Sequence, residues 1–125
     1  MSVDLAVWEG ERPPSDKEAT KTYGELYSQY IERDDPVPPT EAITRYVETL
    51  LARWPDWAGL DEGSAAASPW ADSPLISDAS GPFFYFAIVN NAAAPDAWRY
   101  AVEMAEAQGL VSFDPQSERL ARRTY

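Results

Sequence analysis

The chain has no cysteine and no histidine among its 125 residues. Without cysteine there is no disulfide, no zinc–thiolate centre and no thiol nucleophile. Without histidine, the usual general base near neutral pH and the commonest metal ligand are missing, and so is any Ser-His-Asp or Cys-His arrangement. Basic residues are scarce too: 10 Lys and Arg stand against 21 Asp and Glu, for a net charge of −11. Phosphate backbones need a basic face, so a nucleic-acid partner is not expected. Such a surface suits a basic or cationic partner, or serves solubility alone. Long apolar runs are also lacking. No stretch approaches the length of about 18 apolar residues that a membrane span needs, and no membrane contact is expected. MSVDLAVWEGERPP carries an acid at Asp4 and no basic lead, unlike a secretory signal; the expected location is cytoplasmic. Neither a Gly-rich phosphate loop nor EF-hand spacing occurs, so no cofactor and no metal is expected.

What is present is aromatic. Five Trp, seven Tyr and four Phe supply a core for one domain, the count that this length implies. Ser2 to Glu9 alternates, with Val3, Leu5 and Val7 on one face and Asp4, Ala6 and Trp8 on the other, which predicts a strand. Ser15 and Glu18 have the spacing of a capping box. Behind them Ala19, Tyr23, Leu26, Tyr27, Tyr30 and Ile31 share one helical face, up to about Arg33. Pro36, Pro38 and Pro39 break the chain. A second helix is predicted from Thr40 or Glu41 to Trp54 on the stripe Ile43, Tyr46, Val47, Leu50, Leu51 and Trp54.

Pro74 to Asp114 reads as the organising stretch. Leu75–Ser77 is predicted as a short strand and residues 78–81 as a turn. Phe83–Val89 is predicted as a strand apolar on both faces, hence central. Pro95 and Gly109 bracket a helix with Trp98, Ala101, Val102 and Ala105 buried, and Leu110–Phe113 returns as a strand. The order β-α-α-β-β-α-β predicts an α+β, ferredoxin-like fold: a four-stranded antiparallel sheet with helices on one face. The expected domain is residues 1–115, followed by a basic C-terminal tail at 116–125. The domain holds 7 basic and 20 acidic residues, net −13, and the tail carries +2.

Charge is distributed unevenly. No basic residue occurs between Arg53 and Arg99, where Asp56, Asp61, Glu62, Asp72, Asp78 and Asp96 lie. Residues 55–73 are predicted as a long acidic loop, and loops of that length in compact domains are usually functional or mobile. Trp57, Asp61, Glu62, Trp70 and Asp72 are the candidate partner-binding residues, with aromatic rings as anchors and acids complementing a basic surface. The plainer reading is a solvated loop whose tryptophans fold back over the sheet.

Other constellations are weaker. Asp61-Glu62 and Asp34-Asp35 have the form of acid/base or hard-metal pairs, but adjacent acids arise by chance in so acidic a chain. No catalytic residue is therefore assigned. Tyr23, Tyr27, Tyr30 and Tyr46 either line a ligand pocket or edge the core with their hydroxyls toward water. The arginines of the tail either neutralise the acidic body or lie free.

DLAVW near the start, SPW at 68–70, SGPFFYFAIV in the middle and GLVSFDPQ near the end resemble a family of small uncharacterised bacterial proteins. These open with a DLAVW-type strand and close with an FDPQ-type strand end. The resemblance spans nearly the whole chain and implies one intact domain; it carries no established activity and no catalytic motif.

Two expectations of function follow. The first is a non-enzymatic, acidic, protein-binding module, most concretely a cytoplasmic immunity-type inhibitor that masks a basic toxin. The alternative is a ferredoxin-like homodimer, joined through an open sheet face, that holds a small cationic or aromatic ligand among its tryptophans and tyrosines.

Overall fold

The computed structural model describes residues 2–124. Strand β1 (Ser2–Trp8) carries its alternation directly into the interior: Leu5 and Val7 enter one core, Ala6 and Trp8 another. Helix α1 (Asp16–Leu26) starts at Ser15, whose hydroxyl accepts a hydrogen bond from the Glu18 amide at 3.2 Å. It runs on into a π-helical turn, Tyr27–Ile31. Helix α2 (Glu41–Arg53) is capped by Thr40, whose hydroxyl accepts from the Ile43 amide. A short helix, α3 (Glu62–Ala67), and a 3₁₀ turn, Leu75–Asp78, precede strands β2 (Ala79–Ser80) and β3 (Phe83–Val89). Helix α4 (Ala94–Ala107), β4 (Val111–Asp114) and β5 (Arg119–Leu120) complete the chain.

The protein is α+β, with an antiparallel sheet in the order β2-β3-β1-β4-β5. Five strands form where four were expected, because the chain beyond residue 115 turns back rather than trailing away. The Asp114 carboxylate accepts from the amides of Gln116 and Ser117, and the Leu120 amide donates to Asp16 at 3.0 Å. The tail is thus stitched to both β4 and the start of α1.

Helices cover both faces of the sheet, not one. Helices α2 and α4 pack over Leu5, Val7, Phe84, Phe86 and Ile88. On the opposite face, α1 and the π-helical turn lay Ala19, Tyr23, Tyr27 and Tyr30 over Trp8, Phe83, Tyr85 and Phe113. The physical reason is the sequence of β1 and β3, which places large apolar side chains on both sides. Leaving either side wet forfeits about 1.5–3 kcal/mol for each such residue. The proline-dense stretch carries the chain between the layers and is held at the β2–β3 turn, where Gly81 donates to the Val37 carbonyl and Thr40 donates to the Gly81 carbonyl.

The segment expected as strand Leu75–Ser77 is instead the 3₁₀ turn, and the short strand that follows it, Ala79–Ser80, is what pairs with β3. The place farther along the outer edge of β3 is taken by residues 69–71. Val89 donates to the Pro69 carbonyl at 2.7 Å, and Ala71 donates to the Ala87 carbonyl at 3.1 Å. Residues 69–71 thus extend this edge of the sheet, and α3 lies within residues 55–73. No helix among the described residues is long and apolar enough to cross a membrane.

Candidate functional site

The tryptophans of the acidic stretch point inward. Trp70 is 1% exposed; its indole N–H donates to the Trp54 carbonyl at 2.6 Å, and its ring meets Trp54 and Phe86 edge-on. Trp57 is half-buried and donates to the Trp70 carbonyl at 3.0 Å. An indole buries readily once its single donor is satisfied; here the carbonyl of Trp54, at the end of α2, and that of Trp70 do this. Trp70 thus serves the core, while Trp57 keeps one side in a shallow groove beside Ala65, Ala66 and Val89.

The acids of the stretch separate into two groups. Asp56 accepts from the Leu75 amide and caps the 3₁₀ turn. Asp61 caps α3, accepting from both the amide and the hydroxyl of Ser64, which hold its carboxyl below the usual range. Asp61, Glu62 and Asp96 are exposed. Among the described residues the ion pairs are Glu41–Arg45 and Glu106–Arg123, so no acid between Arg53 and Arg99 has one. The second pair docks the tail, together with the Trp98 indole, which donates to the Arg122 carbonyl at 2.7 Å.

Asp72 is exposed as well, but lines a different cavity from the groove beside Trp57. It joins Asp78 in a cavity of about 420 Å³ between the π-helical turn and the outer edge of β3. Tyr27, Tyr30 and Tyr85 form its walls, and Arg33 lies at the same opening. The Tyr85 hydroxyl donates to Asp4 at 2.8 Å; burial, and then this bond, push the phenol above its ordinary range. Burial raises the Asp78 carboxyl to about 7, helped by hydrogen bonding with, and the charge of, Asp72. Asp78 Oδ2 is enclosed and receives no hydrogen bond from an amide, hydroxyl or guanidinium among the described residues; the Asp78 carboxyl pairs instead with that of Asp72, through the proton it retains.

Sequence reasoning weighed Tyr27 and Tyr30 as pocket residues but passed over Asp78, Arg33 and Tyr85. Asp78 sits in a sequence that reads as an ordinary turn, and Tyr85 in one that reads as core. No sequence signal marked the π-helical turn, since Tyr23, Tyr27 and Tyr30 keep helical spacing straight through it, although such turns recur at functional sites. Tyr46, grouped with the other tyrosines, lies on the opposite side of the sheet and donates to the Ala101 carbonyl at 2.6 Å. Asp34 and Asp35 are exposed, and no three acids converge as a metal site among the described residues.

No protein-family model, no curated protein and no solved structure matches this chain.

Proposed function

We propose that this protein is a non-enzymatic acidic binding module for a basic protein, most concretely a cytoplasmic immunity-type inhibitor that masks a basic toxin. The observation that carries the reading is the state of the surface. Both sheet faces are closed by the chain's own helices, and Leu60 is the single large apolar side chain left open among the described residues. What remains to recognise a partner is charge. The net charge is −11, and the acids between Arg53 and Arg99 lack ion pairs among the described residues on a segment that tryptophans and β3 hold in place. Preformed charge of one sign steers association with an oppositely charged protein and fixes its register.

The absence of histidine and cysteine favours binding over catalysis. The strand order β2-β3-β1-β4, with α2 and α4 on one face, is what a ferredoxin-like domain requires; α1 and β5 are then additions to it. Here α1 occupies the face that the alternative dimer would use. In the family resemblance, DLAVW is β1, and FDPQ is the end of β4 with its Asp114 turn.

The test is affinity capture from an extract of the source organism at low and then high salt, using wild type and the Asp61→Lys/Glu62→Lys variant. One basic protein held by wild type at low salt, released at high salt and missed by the variant is the expected result. Retention of the same protein by the variant removes α3 from the interface, and absence of any basic partner overturns the reading.

A further inference from the structure

The cavity under the π-helical turn has a chemistry distinct from that of the acidic surface. Its volume of about 420 Å³ lies within the range of small-ligand sites, roughly 300–1,000 Å³. Three of its walls are the tyrosine rings 27, 30 and 85, and Asp72 and Asp78 line it together with Arg33, Ser77 and Ser80. Asp78 Oδ2 receives no hydrogen bond from an amide, hydroxyl or guanidinium among the described residues; the carboxyl pairs with that of Asp72 instead, and two adjacent acids are a place where a cation's N–H groups can bind. Arg33 does not fill that place. Its Nε donates to the Asp35 carbonyl, and among the described residues it forms no ion pair with either aspartate.

Two carboxylates against one arginine leave the cavity one positive charge short when both are ionised. A hard metal ion fits poorly, because no three carboxylates converge there and the walls are aromatic. Aromatic faces and carboxylates together favour an organic cation, whose charge is attracted by both. We propose that this cavity binds a small organic cation, an ammonium or guanidinium group on a compact alkyl or aryl body. The charge lies against Asp72 and Asp78 and the body against Tyr27, Tyr30 and Tyr85. This goes beyond the protein-partner reading and does not depend on it, since the ligand is a free small molecule and Asp61 and Glu62 take no part.

The experiment titrates benzylammonium and butylguanidinium into the ¹⁵N-labelled full chain at low salt, with benzyl alcohol as the uncharged control. Saturable binding of the cations is expected, with dissociation constants near or below about 1 mM and shifts concentrated at residues 27–33, 72–80 and 85–87. Benzyl alcohol binds at least about tenfold more weakly. Asp78→Asn keeps the shape, removes the charge and weakens the cations by about tenfold, as loss of a charge-assisted bond implies. Should that variant lose its folded spectrum, Asp72→Asn serves in its place with the same expectation. The Asp61→Lys/Glu62→Lys variant binds as wild type does. Equal binding of benzyl alcohol, shifts that spread over the acidic surface without saturating, or undiminished affinity in the folded asparagine variant overturns the proposal.

Discussion

Gly81 lies so close to the ring of Tyr30 that a β-carbon there would sit 2.8 Å from Cε1, and its φ of +56° is left-handed. The turn between β2 and β3 and the wall of the tyrosine cavity are therefore one packed unit. Gly81→Ala meets two penalties: about 1 kcal/mol or more for the left-handed backbone, and displacement of Tyr30. A lower urea midpoint together with shifted Tyr30 ring resonances is expected. An unchanged ring environment would show that the turn and the cavity are uncoupled.

Tyr46 is fully buried between α2 and α4, and its hydroxyl donates to the Ala101 carbonyl at 2.6 Å. Burial pushes its phenol above the ordinary range. Tyr46→Phe keeps the ring and removes the bond, which costs about 1 kcal/mol. Equilibrium unfolding in urea measures this directly, with an unaltered denaturant slope expected.

Asp78 makes stability depend on pH. Its carboxyl is raised to about 7 in the folded protein, against about 3.9 when unfolded. The folded state therefore holds the extra proton between those values, and stability falls as pH rises from about 4 through 7. Asp78 is partly open to water, so the effect is discounted to about 1 kcal/mol. Urea midpoints of Asp78→Asn measured from pH 5 to 8 should show a weaker decline than those of wild type. Parallel declines would place the pH dependence elsewhere.

Gly24 lies in α1 with open space where a β-carbon would go. Gly24→Ala should stabilise the protein by about 0.5–1 kcal/mol through reduced freedom of the unfolded chain. A rise in the thermal midpoint checks it. A fall would mean that the π-helical turn, which starts at Tyr27, needs the glycine upstream of it.

Much of the local structure was legible in the sequence. The stripe Ile43, Tyr46, Val47, Leu50 and the stripe Trp98, Ala101, Val102, Ala105 are buried in the predicted helices. The two faces of β1 and β3 divide as their alternation says. Periodicity reports such sharing because side chains on one face of an element must be buried together. It said nothing of whether Trp57 and Trp70 anchor a partner or fold back over the sheet, since an irregular stretch carries no period from which to read a direction.

The sequence by itself determined which residues share a face, where the caps and breaks fall, and that charge dominates the surface. Tertiary structure decided which face each helix covers, which chain segments line the edge of β3, and that Asp72 meets Asp78 in a cavity walled by tyrosines. The physical reason lies in the range of the interactions. Caps and amphipathic stripes are set within a few residues, whereas the side of the sheet that α1 closes, and the burial that raises Asp78, depend on segments tens of residues away meeting in space.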